Sequence, residues 1–445
     1  MEDRPQLQQA QMTLDLETRV VGKLRRRILP FVVLLYFVSF LDRVNVGFAA
    51  FGMNHAIGLT SAMFGFGGGL FFLSYLLFEV PSNLILYRVG ARVWIARVMI
   101  STGLVAAASA FVTGPRSFYV LRFLLGASEA GFFPGIILYL SLWFPARHRA
   151  VAVAAFMAAA PLSIAIGSPI SGAIMQISTF AGLYNWQWLY LIEALPAIAL
   201  GLLVLRVMTD NPEKATWLVT EERLWLIATL KAESAQSAGH DRHIFSALAA
   251  LANPRVLALS LIYLGSSAGL YTLGIWSPLI LQTFRFSSLT IGLLNSAPSF
   301  LAIAAMVAWA HHSDRTLERR WHVIIPCVAA SLGFAWAGIA HSAVPLILAL
   351  TVVNIGINAA KAPLWAMPSS FLSGASAAAG IAVINSLGNL GGFFGPFLTG
   401  WLKDRYGNYA GGLFSVAAML AVSAIAMFLL SIETAEPAEL TAPGT

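Results

Sequence analysis

The chain has a single cysteine, Cys327, and it lies inside an apolar run. That excludes a disulfide framework and a cysteine-based metal cluster, and leaves the residue as a small packing group. Charge is scarce too: only 11% of the 445 residues are Asp, Glu, Lys or Arg, against about 25% in soluble domains. No Asn-x-Ser/Thr sequon occurs, so the chain offers no N-glycosylation acceptor. The net charge of +7 does not argue for nucleic-acid binding, because no soluble segment is long enough to carry a clustered basic face. What the chain has in quantity is apolar surface. Hydrophobic residues make up 58% and the mean hydropathy is +0.77, the composition of an integral membrane protein.

A membrane-spanning helix needs about 20 mainly apolar residues. Twelve such runs are present, near 28–50, 64–87, 93–113, 117–141, 150–174, 187–207, 256–280, 288–310, 322–341, 344–366, 376–401 and 411–432. The fold expected is therefore all-α, with twelve transmembrane helices in two six-helix pseudo-repeats. Its parts are an N-terminal tail (1–27), an N-terminal bundle (28–207), a central loop (208–255), a C-terminal bundle (256–432) and a C-terminal tail (433–445). The first run is too long for a removable signal peptide and lacks a small-residue cleavage site. With a cytoplasmic N-terminus, the inner short loops hold Arg88, Arg92, Arg97, Arg147, Arg149, Arg315, Arg319 and Arg320, and the outer ones Arg116, Arg285, Lys403 and Arg405. The excess of basic residues inside, reinforced by Lys23, Arg25, Arg26 and Arg27, places both termini in the cytoplasm. Lys403 and Arg405 go against the rule, and local pairing with Asp404 would account for them. In the central loop, Thr220-Glu221-Glu222 resembles a helix start, and Leu224, Leu226, Ile227 and Leu230 form a stripe suited to the membrane surface. A repeat is legible because Arg88 and Arg315 are 227 residues apart, close to the 228 between the starts of the first and seventh runs. Parallel repeats of this kind build secondary transporters whose site lies at the midplane between the halves.

Topology leaves seven charges unexplained: Arg43, Arg122 and Lys361, with Asp42, Glu79, Glu129 and Glu193. A charge at the bilayer centre costs at least about 2.5–3.5 kcal/mol, so such residues are functional candidates. Asp42 lies roughly 4–5 Å past the middle of its helix, and Arg122 and Glu129, two turns apart, share a face. Asp42 and Arg122 fall at similar depth and could pair. Glu129 has no base in its own turn, which suits a carboxyl that takes up and releases a proton. Glu79 and Glu193 lie nearer helix ends and read as structural, Glu79 within reach of Arg88 or Arg92 and Glu193 favoured by the helix dipole. Lys361 either snorkels to the interface or reaches substrate. Asn385 and Asn389, one turn apart in a glycine-rich helix, read as a polar lining, while Tyr75 and Tyr271 are either aromatic walls or interfacial anchors.

The stretch Leu41-Asp42-Arg43-Val44-Asn45-Val46-Gly47-Phe48 resembles the signature of the anion:cation symporter family of the major facilitator superfamily. So do Phe78-Glu79-Val80-Pro81-Ser82-Asn83, Arg122-Phe123-Leu124-Leu125-Gly126 leading to Glu129-Ala130-Gly131-Phe132-Phe133-Pro134-Gly135, and Asn385-Ser386-Leu387-Gly388-Asn389-Leu390-Gly391-Gly392. The similarity is greatest to bacterial permeases for tartrate, phthalate or hydroxyphenylacetate. It implies that Arg43 binds a substrate carboxylate, that Asp42 pairs with Arg122, that Glu129 takes the coupling proton, and that Tyr75 and Asn389 line the site. It also implies a gating loop after the second helix (Arg88, Arg92) with a second copy at Asp314 and Arg315. Two departures stand out. Tyr87 occupies the place of that loop's usual aspartate, and Ala160 the place of a glutamine that contacts sugar acids, which favours a less hydroxylated or aromatic acid.

The function expected is proton-coupled import of a small carboxylate by a monomer in the inner membrane, with no cofactor and no metal. In that scheme Arg43 attracts the carboxylate, and protonation of Asp42 frees Arg122 and permits the halves to rock. A proton-independent exchanger or facilitator, or a non-transporting nutrient sensor, is the alternative. An intramembrane hydrolase has only His311 and His312 near Asp314 to draw on, without a metalloprotease helix motif.

Overall fold

The structure is a computed structural model, which describes residues 3–237, 251–368, 371–372 and 374–430. The expected C-terminal tail 433–445 and residues 238–250 of the central loop lie outside the described residues. Twelve helices are long and apolar enough to cross a membrane. We number them α1 (Leu29–Ala56), α2 (Ser61–Val89), α3 (Ala91–Ala108), α4 (Pro115–Glu129 and Phe132–Ser141), α5 (Ala146–Met157 and Ala159–Ile174), α6 (Asn185–Val207), α7 (Pro254–Gln282), α8 (Ser288–Thr316), α9 (Arg320–Ile339), α10 (Ala343–Ala366), α11 (Gly374–Asn389 and Gly391–Tyr406) and α12 (Ala410–Leu429). Among the described residues the one β feature is an isolated bridge between Phe180 and Leu183.

Local chemistry sets the helix ends. Side chains of Thr60, Asn253 and Ser287 accept from first-turn amides of α2, α7 and α8. Gly90 ends α2 with φ +94°, and Gly407 ends α11 with φ +74°, conformations that glycine adopts at little cost. Prolines inside α2 and α5–α11 are tolerated because neighbouring helices satisfy the freed backbone.

Three runs read as continuous in the sequence are broken. The break in α4 falls at Ala130–Gly131, directly after Glu129, with Gly131 at φ +85°. Its backbone groups are accounted for: Arg97 Nη1 donates to the Ser128 carbonyl at 3.2 Å, and Ser82 Oγ donates to the Ala130 carbonyl at 2.6 Å while accepting from Trp94 Nε1 at 2.9 Å. Arg97, counted with a loop from the sequence, is thus inside α3.

Helices α1–α6 pack among themselves, as do α7–α12, and the two sets meet along α1/α7, α2/α11 and α5/α8. We call the end of the bundle where α1 begins proximal and the other distal. Contact between the halves is backbone-close toward the distal end. A Cβ on Gly47 would lie 2.8 Å from the Ile275 carbonyl, one on Gly69 2.7 Å from Phe393, and one on Gly292 2.9 Å from Pro169 Cα. Gly65 abuts the Pro396 carbonyl, Gly172 the Ser288 carbonyl and Gly400 the Ser61 carbonyl. Small residues allow this approach where apolar burial gives no drive between helices. Asp404 of α11 closes the distal end, accepting from the Ser61 and Ala62 amides of α2 at 3.0 and 2.7 Å. It therefore caps a helix of the other half rather than pairing with Lys403, which donates to the Tyr409 hydroxyl at 2.8 Å.

At the proximal end a helix, Asp3–Arg27, precedes α1, and Lys23 binds both oxygens of Glu222 at 2.7 and 2.8 Å. Leu226 is fully buried while Leu224 is 59% exposed, so the Thr220–Ser237 helix docks on the N-terminal half with part of its stripe instead of presenting all of it to lipid.

Candidate functional site

Six of the seven intramembrane charges lie on four helices of the N-terminal half, α1, α2, α4 and α6, and the fold brings those of α1 and α4 together at mid-depth. Arg43 Nη2 of α1 lies 2.9 Å from Glu129 Oε1, and the Ser39 hydroxyl, one turn before Arg43, donates to the same oxygen at 2.9 Å. The second carboxylate oxygen of Glu129 and the Nε of Arg43 have no hydrogen-bond partner. Glu129, expected without a base, therefore has one from a neighbouring helix, and Arg43, expected free for substrate, is engaged by it. The pair is dry: the Glu129 side chain is 1% exposed and that of Arg43 11%.

The Asp42–Arg122 pair does not form. Asp42 Oδ1 instead accepts from Asn45 Nδ2 at 3.2 Å on its own helix, and Arg122 is buried with its guanidinium 5.3 Å from the centre of the Phe71 ring. Arg43 lies 5.2 Å from the centre of that same ring and 4.8 Å from that of Phe40. A ring face attracts a desolvated cation by roughly 2 kcal/mol, so the aromatic wall replaces water around both guanidiniums. Asp42 remains within electrostatic reach of Arg122 and Arg43.

The tyrosines fall as walls rather than anchors. Tyr75 is 7% exposed and packs on Phe71; Tyr271 of α7 meets Phe72 of α2 across the halves with ring centres 4.1 Å apart; Tyr36, Tyr75 and Tyr271 all lie within electrostatic reach of Arg43. Asn389 ends the first segment of α11 beside the break. Asn385 is committed elsewhere, its amide donating to Glu79 Oε1 at 3.2 Å, with Ser386 Oγ donating to Glu79 Oε2 at 3.3 Å. Glu79 thus faces the C-terminal half and not Arg88 or Arg92, which are nine and thirteen residues further along. Glu193 lies in the third turn of α6, past the reach of the helix dipole, and accepts from Ser171 Oγ at 2.6 Å.

Lys361 donates to Asn358 Oδ1 at 2.9 Å, Asn358 donates to Asn354 Oδ1 at 2.7 Å, and Asn354 donates to Ser299 at 3.1 Å. This ladder was legible as Asn354, Asn358 and Lys361 at helical spacing but was not read. It leads toward a cavity of about 30 Å³ between the halves, lined by Val44, Phe48, Ser168, Ser277, Asn295 and Asn354, with no charged residue. That is room for about two waters, and the charged centre at Arg43–Glu129 is closed around itself.

Of the loop-motif residues, Asp314 pairs with Arg319 at 2.7 Å, and the Arg92 amide donates to Asp210 at 3.3 Å. Asp210, from the segment after α6, supplies at the start of α3 a carboxylate that the position of Tyr87 does not. Among the described residues, Arg88, Arg92, Asp314 and Arg315 make no hydrogen bond or ion pair to the opposite half.

A family model described as the Major Facilitator Superfamily matches residues 32–396. A protein of Agrobacterium vitis named "Putative tartrate transporter" is 59% identical over 97% of this chain and 99% of its own length. A "Quinolone resistance transporter" of Acinetobacter baumannii is 38% identical over 94% of this chain and 96% of its own. Among solved structures, a D-xylose-proton symporter superposes with a TM-score of 0.74 at 14% identity, covering 92% of this chain and 98% of that one, which is a likeness of fold alone.

Proposed function

The chain belongs to the major facilitator superfamily, and from that premise we propose that it imports a small carboxylate, foremost a tartrate-like dicarboxylate, together with protons by alternating access. It is a membrane transporter and not an enzyme. The observation that carries the proposal is the Arg43–Glu129 pair. A buried ion pair that loses one charge leaves the other uncompensated, at a cost of about 3–5 kcal/mol. Protonation of Glu129 does this to Arg43 without removing a side chain, and a substrate carboxylate restores the balance through a charge-assisted hydrogen bond. Proton and anion thereby favour each other at one guanidinium. Tyr75, Tyr271 and Asn389 would bound the remainder of the substrate, with Lys361 as a cation on the opposite half. Asp42, beside Arg122, is a second candidate proton carrier.

In this reading the proximal end is cytoplasmic, the protein is a monomer in the inner membrane, and the close distal contact is the shut external gate. The identity to a relative named for tartrate supports the substrate class. The test is uptake of L-tartrate into vesicles. Glu129→Gln should abolish uphill accumulation driven by a pH gradient while tartrate counterflow continues. Unimpaired accumulation by the variant, or no alkalinisation of the medium during uptake by the wild type, would overturn proton coupling through this residue.

A further inference from the structure

We propose that Glu79 is a second proton-binding site, a carboxyl clasp between the two halves whose proton crosses the membrane with the substrate; this rests on the symport reading above. Glu79 is 8% exposed and lies on α2, yet the hydrogen bonds of its carboxyl go to α11 of the other half, to Asn385 Nδ2 and Ser386 Oγ. Both partners are neutral. On its own helix the titratable neighbour is Tyr75, and the first turns of α11, residues 374–379, hold no charged residue. Among the described residues no base compensates a carboxylate here, and a buried carboxylate with neutral partners alone is costly to hold in the charged form.

Position gives this carboxyl a coupling role. Along α2 and α11 the halves touch through Ser61–Gly400, Gly65–Pro396, Gly69–Phe393 and Phe72–Gly392, and Glu79 with Asn385 is the next contact toward the proximal end. When the halves part at that end, Glu79 loses both donors and meets water; when they close, it is buried again. Opening at the distal end admits water around Tyr75, one turn from Glu79 and within its electrostatic reach, and loads a proton on the carboxyl; in the occluded form that O–H turns to the Ser386 hydroxyl, and proximal opening passes the proton to water. Glu193 shares the burial and the lack of a base, but its partner Ser171 belongs to the same half, so rocking leaves its surroundings unchanged.

The charge balance calls for such a site. Each charge moved across 100 mV is worth about 2.3 kcal/mol, so a dianion enters without opposition from the membrane potential only with two protons. Glu129 supplies one. Asp42 shares Arg43 and Arg122 with Glu129 and lies within electrostatic reach of Glu129 itself, so these two carboxyls answer to one pair of cations, whereas among the described residues Glu79 has no cation in reach.

The experiment reads stoichiometry in vesicles holding the full-length protein, with the potential clamped at zero and L-tartrate as probe. Each coupled proton multiplies the accumulation ratio by about ten per pH unit. The wild type should reach about a hundredfold, and Glu79→Gln, which keeps the side chain's shape, about tenfold, its uptake becoming sensitive to an imposed potential. A Gln variant that keeps the hundredfold ratio, or a wild type that reaches only tenfold, overturns the clasp. A wild type with counterflow but no proton-driven accumulation overturns the symport reading itself. Should Glu79→Gln fail to fold, the double variant Asn385→Leu/Ser386→Ala retains the carboxyl without its donors. The pH midpoint of its uptake should shift from that of the wild type, and an unmoved midpoint also overturns the clasp.

Discussion

Replacement of Gly292 by alanine places one methyl group between α5 and α8 where the atoms it meets are backbone. Its Cβ would be 2.9 Å from Pro169 Cα and 3.0 Å from the Ser168 carbonyl carbon, and closer still to the Ser168 oxygen. No rotamer change relieves that, so the two helices must separate. Overpacking of this kind costs about 1–3 kcal/mol, and it is felt only while the distal end is shut. The gain from replacing glycine in a helix, about 0.5–1 kcal/mol, applies in both states and cancels. The ratio of shut to open should therefore fall by about 5- to 150-fold. A suitable reporter is a cysteine at Val44, which lines the distal cavity, in a background with Cys327 replaced by alanine, labelled with an impermeant maleimide applied from the distal side. Gly292→Ala should raise the labelling rate within that range, with little loss of melting temperature because opening relieves the clash. Gly274→Ala serves as control, since its added Cβ meets nothing within 4 Å, and should not change the rate. A lowered melting temperature with unchanged labelling would refute the reasoning, because the contact would then belong to the fold and not to a gate.

Other perturbations follow from the same contacts. Arg43→Lys keeps the charge but loses the guanidinium's stacking on Phe40 and Phe71; tartrate affinity should weaken about tenfold, and unchanged affinity in a binding titration would remove Arg43 from the site. Ser82→Ala leaves the Ala130 carbonyl and Trp94 Nε1 without their partner and should cost about 1–3 kcal/mol in thermal melts. Combined with Gly131→Ala, whose new methyl would collide with the Ser82 hydroxyl, the loss should be less than additive; additivity would mean the two positions are not coupled. Burial works against the charged form of Glu318, but the amides of Trp321 and His322 and the His322 ring outweigh it and hold the carboxyl below its ordinary range. Its stabilising effect is therefore present above the ordinary carboxylate range and is lost as pH falls through the depressed value. The melting-temperature gap between wild type and Glu318→Gln should close on acidification, and a gap that persists would contradict the assignment.

Twelve spans and the charges among them were legible because apolar length and isolated ionisable residues are properties of the linear chain. Pairing was not. Spacing and rise place Asp42 and Arg122 at one depth, but depth says nothing about the rotation of one helix against its neighbour, and it is rotation that turns Arg43 to Glu129 and leaves Asp42 with Asn45. Glu79 was misplaced because α2 runs unbroken through Pro81 to Val89, which carries Arg88 some 13 Å beyond it at 1.5 Å per residue and puts Arg92 past the turn at Gly90, on α3. The α4 break had a visible cue in Gly131, Pro134 and Gly135, yet the run stayed apolar enough to read as one helix. Asp210 at the start of α3 is more than a hundred residues from the loop it serves, beyond the reach of any local pattern.

The Asp404 cap on α2 bears on how one closure repeats another. Stripes of glycine against backbone are smooth and would let two bundles slide along each other by fractions of a turn with little penalty. Two amide hydrogens directed at one carboxylate do not tolerate such sliding, because a shift of 1 Å breaks both bonds. The cap thus sets the axial alignment of the bundles each time the distal end shuts, so that α1 and α7 return to the same register and Arg43 faces the same wall of Tyr271 in every cycle.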